Sequence, residues 1–389
     1  MKKTRLIALL TCAVLCFTCL FGCGNAGSGY TANNEEFVIG VSGPLTGGAA
    51  VYGKAVENSA NMAVEEINAA GGLNGIKFKL IATNDMHDPT KVSANYASML
   101  EKGMQVSLGT VTTGPGLEYT KLSVEDNVFF LTPSASGDDI PKFENGYQMC
   151  FADSNQGEVA AKQVNEEYKG QTIGVFYKSD DAYSTGIWKK FKASLDSSIK
   201  VVETSFDDSR AQDFTSQIDK LKDCKFIFMP IYYDPASLFM KQAKTKMAAD
   251  AVYYGCDGFD GIDSIEGFDI NSIPQEVTML SHFNSKSTEG LSADFIKKYT
   301  EKYGKETLNQ FGASAYDCVY AIYNAMKAAM DDGKDISVTI SATELSDILK
   351  ETFNGGFKFT GVTGKDITWD ASGYVKKDAV KYQIKEATN

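Results

Sequence analysis

Histidine is almost missing from this chain of 389 residues, which holds only His87 and His282. Neither lies in a Gly-x-Ser-x-Gly or His-x-x-Glu-His setting, so the usual nucleophile elbow and the usual zinc hydrolase helix are both excluded. Cysteine offers little more. Of eight, Cys12, Cys16, Cys19 and Cys23 fall at the N-terminus, and Cys150, Cys224, Cys256 and Cys318 are too widely spaced for a zinc pattern. The sequence leaves the pairing of those last four open. Positive charge is in deficit, with 38 Lys and Arg against 50 Asp and Glu and a formal net charge of -12, which makes nucleic acid a poor partner. Gly114-Pro115-Gly116 lacks the Gly-Lys-Ser/Thr ending of a phosphate loop. Asp257, Asp260 and Asp263 recur every third residue, whereas the ligands of an EF-hand calcium loop alternate every second. No metal, no cofactor and no catalysis are expected.

What is present starts with Met1-Lys2-Lys3-Thr4-Arg5, followed by an uncharged apolar run from Leu6 to Phe21. A basic head and an apolar stretch shorter than the roughly 20 residues of a membrane span read as a signal peptide. The run ends Leu20-Phe21-Gly22-Cys23, which resembles a bacterial lipobox, so residues 1–22 are expected to be removed and Cys23 to carry lipid. Residues 23–36 are rich in Gly, Asn, Ser and Thr without apolar periodicity, the composition of a flexible tether. The protein is therefore expected outside the cytoplasm, anchored to the membrane through lipid.

From Phe37 onward, strand-like and helical patterns alternate. Phe37 to Val41 is a continuous apolar run of the kind parallel strands show when both faces are buried. A helix with Val56, Ala60, Ala63, Val64 and Ile67 on one stripe stops at Gly71-Gly72. Strand Ile76 to Ala82, a helix after Pro89, strand Met104 to Leu108, a helix to Asp126 and strand Val128 to Leu131 follow. The pattern restarts after Cys150 with strands Ile173 to Tyr177, Val201 to Ser205, Phe226 to Met229 and Ala251 to Gly255. Helices are expected from Gly186, over Asp213 to Leu221 and over Pro235 to Lys246. Glu289 to Tyr303 and Ala313 to Met330 read as amphipathic helices, and Ile367 to Tyr382 as terminal strands. This is an α/β chain of two doubly wound parallel sheets.

Several motifs carry a family resemblance: Gly40 with Pro44-Leu45-Thr46-Gly47, Tyr52-Gly53, the run Ile67-Asn68-Ala69-Ala70-Gly71-Gly72-Leu73-Asn74-Gly75, Asp85 with Asp88-Pro89, and Asp153 with Gln156-Gly157. In this order they resemble the extracytoplasmic binding proteins of branched-chain amino-acid ABC transporters. The resemblance implies a type I periplasmic-binding fold, two lobes joined by three crossovers. Residues 37–152 plus 282–378 would form the N-terminal lobe, and residues 153–281 plus 379–389 the other. It also implies a free amino acid as ligand, the permease subunits of an ABC importer as partners, and a monomer.

Carried over position by position, the resemblance implies that Thr113 bonds the ligand α-carboxylate at a helix N-terminus suited to an anion. Ser134 and Ser136 would receive the α-ammonium, Asp257 would pair with it, and Tyr52, Tyr183 and Tyr232 would line the cleft. Each has a plainer reading taken singly: hydroxyls as helix caps, the aspartate as a loop carboxylate, the tyrosines as packing. Together, all seven follow strands, with donors from one half and an acid from the other. A zwitterion requires that division, because a buried charge without a partner costs several kcal/mol. The alternatives are a sensor domain reporting to a receptor, or a site for an aromatic or polar amino acid or a small amide such as urea.

Overall fold

The structure is a computed structural model that describes residues 34–377 and 380–388. The expected signal peptide, most of the tether and Cys23 lie outside the described residues. β1 (Phe37–Gly43) is buried along its whole length, as an apolar run needs to be when helices cover both faces of its sheet. It leads into α1 (Ala50–Ala69), whose Tyr52, Val56, Ala60, Ala63, Val64 and Ile67 face the core. Gly72 then turns the chain in left-handed backbone, φ 69°, where a side chain would collide with the carbonyl of Ile76. β2 (Phe78–Asn84), α2 (Val92–Glu101), β3 (Val106–Thr110), α3 (Thr113–Glu125), β4 (Phe130–Thr132) and β5 (Gly146–Gln148) complete a five-stranded parallel sheet, ordered β2-β1-β3-β4-β5.

After β5 the chain enters α4 (Asp153–Glu167) and builds a second sheet from β6 (Thr172–Lys178), β7 (Lys200–Phe206), β8 (Phe226–Met229), β9 (Val252–Gly255) and β10 (Glu276–Ser281). Between them run α5 (Ala182–Ser194), α6 (Thr215–Leu221) and α7 (Tyr233–Ala243). It then returns to the first sheet through α8 (Gly290–Tyr303), α9 (Gln310–Asp331), α10 (Ala342–Asn354) and the hairpin of β11 (Phe359–Gly361) and β12 (Gly364–Ile367). Phe353 of α10 packs on Phe129 and Tyr147, with ring centres 5.1 Å from each. β13 (Val380–Lys385) goes back to the second sheet and lies antiparallel to β10 at its edge, giving the order β13-β10-β9-β8-β6-β7.

The expected strands β1 to β4 and β6 to β9 are present within two residues or so of their anticipated bounds. The helix expected from Gly186 starts earlier, at Ala182, because the side chain of Asp181 caps it by accepting the Ser184 amide at 2.9 Å. That shift puts Tyr183 in the first turn. The terminal strands are interrupted: between β12 and β13 the Asp370 carboxylate gathers the amides of Ser372 and Tyr374 into a turn. α4, α10, β5 and β10 were not anticipated. Cys150, Cys224, Cys256 and Cys318 are buried free thiols.

Candidate ligand-binding site

Parallel sheets present their ligand-holding turns at the carboxyl ends of their strands. Tyr52 follows β1, Thr113 follows β3, and Ser134 and Ser136 follow β4 in the first sheet. In the second, Tyr183 follows β6, Tyr232 follows β8, and Asp257 follows β9 in a single 3-10 turn. The two sets of strand ends face each other across one cleft, and the structure brings all seven residues together there.

On the first sheet, Thr113 is the first residue of α3 and is buried, and its hydroxyl has no hydrogen-bond partner. The next turn is held from behind: Thr132 donates its hydroxyl to the Thr110 carbonyl at 2.8 Å and accepts the Ala135 amide at 3.0 Å, while Gln148 donates to the carbonyls of Ala135 and Gly137 at 3.1 Å. Ser134 donates its hydroxyl to the Val111 carbonyl at 2.6 Å. The Ser136 carbonyl accepts the Asp153 amide at 2.8 Å, which ties this turn to the start of α4. The Ser134 proton is thus committed to the protein, which leaves that oxygen able to accept from an ammonium and with no proton to give a carboxylate.

On the second sheet, Tyr183 donates its hydroxyl to Asp257 Oδ1 at 2.7 Å and accepts the Gly258 amide at 2.9 Å. Asp257 Oδ2 has no partner. Burial pushes this carboxyl up to about 6, opposed chiefly by the bond from Tyr183. The Tyr232 ring stacks on that of Tyr183 with centres 4.6 Å apart and 11° between planes, and its hydroxyl is also without a partner. Tyr52 crosses the cleft to donate to the Gly258 carbonyl at 2.5 Å and accepts the Tyr233 amide at 3.3 Å.

Three further residues belong to this cluster. Asp153, the first residue of α4, lies on the crossover between the sheets, and burial pushes its carboxyl well above the usual range. Its Oδ1 is unpaired. A Cβ on Gly137 would stand 2.7 Å from Thr113 Cγ2 and 3.9 Å from Asp153 Oδ2, which sets both residues side by side. Gln156 accepts the Asp257 amide at 2.9 Å and keeps an unpaired Nε2. The sequence signal for these two was the Asp153-x-x-Gln156-Gly157 motif, present but assigned no role. His87 is the third. It bonds Thr112 Oγ1 through Nδ1 at 2.9 Å and meets the Tyr232 ring edge-on, and only its lack of a catalytic motif was read from the sequence.

Thr113 Oγ1, Asp153 Oδ1, Gln156 Nε2, Tyr232 Oη and Asp257 Oδ2 are therefore five buried polar atoms without partners on neighbouring residues of this cluster. Leaving each unpaired costs on the order of 1–3 kcal/mol, so the cluster is built for a polar guest. The periplasmic binding protein family matches residues 36–386. The chain belongs to that family.

This periplasmic binding protein is 31% identical over 236 residues to the leucine-, isoleucine-, valine-, threonine- and alanine-binding protein of Pseudomonas aeruginosa, covering 59% of this chain and 62% of that one. It is 27% identical to the Leu/Ile/Val-binding protein BraC3 of Rhizobium johnstonii over 82% of this chain and 91% of that one. Among solved structures, the branched-chain amino acid transporter substrate-binding protein LivJ from Streptococcus pneumoniae, in complex with isoleucine, matches with a TM-score of 0.77 at 24% identity, covering 91% of this chain and 97% of that one. A solute-binding protein from R. palustris in complex with benzoate matches with a TM-score of 0.73 at 17% identity, covering 90% and 94%. These likenesses give the type I periplasmic-binding fold. Proteins of this family bind substrates and are not enzymes, and they act outside the cytoplasm.

Proposed function

We propose that the protein is the extracytoplasmic solute-binding lipoprotein of an ABC importer, capturing a free amino acid of the branched-chain or aliphatic class between two closing lobes. The lobes divide near residues 152, 281 and 378, and the chain acts as a monomer anchored through Cys23. The observation that carries the reading is the pairing of Thr113 Oγ1 and Asp257 Oδ2, an unspent donor on one sheet and an unspent carboxylate oxygen on the other. The N-terminus of α3 adds dipole and amide donors for an α-carboxylate. Ser134, Ser136 and Asp257 receive the α-ammonium, and Tyr52, Tyr183 and Tyr232 close over it. The closed form then docks on the permease. Relatives named for leucine, isoleucine and valine support the aliphatic class.

A second ligand class is favoured by one atom. The buried, unpaired Tyr232 hydroxyl suits a polar or aromatic amino acid, or a small amide such as urea, better than an alkyl chain. The test is a thermal-shift screen of the domain after Cys23, unfolded and refolded to strip bound ligand, against the common amino acids, urea, small amides and sugars. A ligand at a hundred times its Kd adds about 2.7 kcal/mol. Stabilisation by leucine, isoleucine or valine supports the aliphatic reading, and stabilisation by aromatic or polar amino acids alone moves it to the second class. A response to sugars or amides but to no amino acid would remove Thr113 and Asp257 from their assigned roles.

A further inference from the structure

The cap of α9 is finished from the other side of the cleft. Asn309 caps this helix by accepting the amides of Phe311 and Gly312 at 3.0 Å each, and its own carbonyl takes the amide of Ala313 at 3.2 Å. That leaves the first helical amide, of Gln310, without a partner in its own segment. Oδ2 of Asp260 accepts it at 2.8 Å. Asp260 follows the 3-10 turn after β9, in the second sheet, whereas α9 packs on α1 beside the first. The same turn carries Asp257 and is tied within itself: the Asp260 amide donates to the Asp257 carbonyl at 2.9 Å, and the Phe259 amide to the Cys256 carbonyl at 3.1 Å. Gly261 comes next in left-handed backbone, φ 96°, where a Cβ would stand 2.9 Å from Val51 Cγ1 of α1. With the bond from Tyr52 to the Gly258 carbonyl, this stretch of the second sheet meets both α1 and α9.

We propose that Asp260 is a positioning residue for the binding site: by completing the α9 cap across the cleft, it holds the Asp257 carboxylate where a ligand ammonium meets it. The inference rests on the reading of Asp257 as the ammonium partner. A carboxylate suits the place, because the N-terminus of a 22-residue helix carries partial positive charge and a charged acceptor strengthens the hydrogen bond. The arrangement also makes two acids interdependent. Asp257 and Asp260 repel each other when both are ionised, so an ammonium on Asp257 favours the charged form of Asp260 and tightens its hold on α9.

The test uses the whole soluble domain as wild type, Asp260→Ala, Asp260→Asn, Gln310→Pro, Gln310→Ala and the double variant of Asp260→Ala with Gln310→Pro. Proline is accommodated at the first helical position and deletes the amide donor; Gln310→Ala controls for the lost side chain. Leucine binding is titrated by calorimetry at about pH 8, above the value of about 7 to which burial pushes Asp260. The separation of the two sides is read in ligand-free protein between spin labels on Lys102→Cys, at the end of α2, and Lys189→Cys, in α5, both exposed. Asp260→Ala and Gln310→Pro should each weaken leucine binding roughly tenfold and broaden the label distance, and the double variant should do no worse than either. Asp260→Asn, which keeps an acceptor without the charge, should lose about threefold, and Gln310→Ala should match wild type. Additive losses in the double variant, a Gln310→Ala variant as weak as Gln310→Pro, or a label distance that the single variants leave as in wild type would overturn the proposal. If leucine binds none of the proteins, wild type included, while the label distance still broadens equally in the single and double variants, Asp260 keeps its positioning role and the aliphatic amino-acid reading fails.

Discussion

The Tyr52 hydroxyl and the Gly258 carbonyl meet at 2.5 Å, joining the first turn of α1 to the turn after β9 across the cleft. One neutral hydrogen bond of this kind contributes about 1 kcal/mol. Tyr52→Phe should therefore weaken ligand binding roughly fivefold, and the loss should fall on the dissociation rate, since the bond joins the two sides of the cleft. Stopped-flow release of bound ligand measures this. An unchanged release rate would mean that the contact does not gate the cleft.

Asp257→Asn keeps the shape of the side chain and removes its charge. The variant should lose about 2–5 kcal/mol of affinity for an α-ammonium ligand, the usual cost of removing one partner from a buried charge pair. Calorimetry against the same ligand decides it. Full retention of affinity would assign the ammonium to Asp153 or to the serine oxygens instead.

Thr113→Val separates a binding role from a packing role. The hydroxyl it removes is buried and unpaired, so the ligand-free protein should be as stable as wild type or slightly more so. Ligand affinity should nevertheless fall by about 1–3 kcal/mol, if the hydroxyl donates to a charged carboxylate. Equal losses in stability and binding would make Thr113 a core residue only.

The buried carboxyls give the ligand-free protein a pH dependence of definite sign. Asp257 and Asp260 are pushed up by burial to about 6 and about 7, so the folded state holds protons that the unfolded chain releases above the ordinary 3.8. Stability from this source is full at low pH and is lost as pH rises through about 6 and then about 7. The ligand-free Tm should thus be higher at about pH 5 than at about pH 7.5, whereas the increment from an ammonium ligand should be larger at the higher pH, where Asp257 is ionised. Thermal scans with and without ligand test both signs.

The four thiols Cys150, Cys224, Cys256 and Cys318 are buried, and burial raises all of them above the usual thiol range. A thiol reagent should leave them unmodified in the native protein and label all four after unfolding without reductant. Fewer than four labelled would reveal a disulfide.

Much of this fold was legible because parallel strands buried on both faces write themselves as short apolar runs, as in Phe37 to Val41 and Phe226 to Met229. β10 and α10 were missed for opposite reasons. β10, Glu276–Ser281, mixes Thr and Ser into its apolar residues, while α10 carries both a capping box, Ser341 with Glu344, and Leu345, Leu349 and Phe353 at helical spacing, signals present but not used. For the site, the family resemblance named Thr113, Ser136 and Asp257, and their shared position after strands puts them at the carboxyl ends of the two sheets. What a linear reading could not supply was the direction of the Ser134 hydroxyl proton, which goes to the Val111 carbonyl 23 positions away. Nor could it supply His87, whose partners Thr112 and Tyr232 are remote in sequence.

The crossing of the chain between its two sheets has a consequence for how the protein is made. The five strands of the first sheet are complete by Gln148, yet α9 and α10, which cover them, come after residue 309; the edge of the second sheet waits for β13 at the very C-terminus. A chain made N-terminus first can finish neither half until nearly all of it is present. Until then β10 presents an open edge to any neighbouring strand, and contacts of such long sequence separation form slowly. A period of vulnerability before the last strand arrives is thus written into the order of the strands.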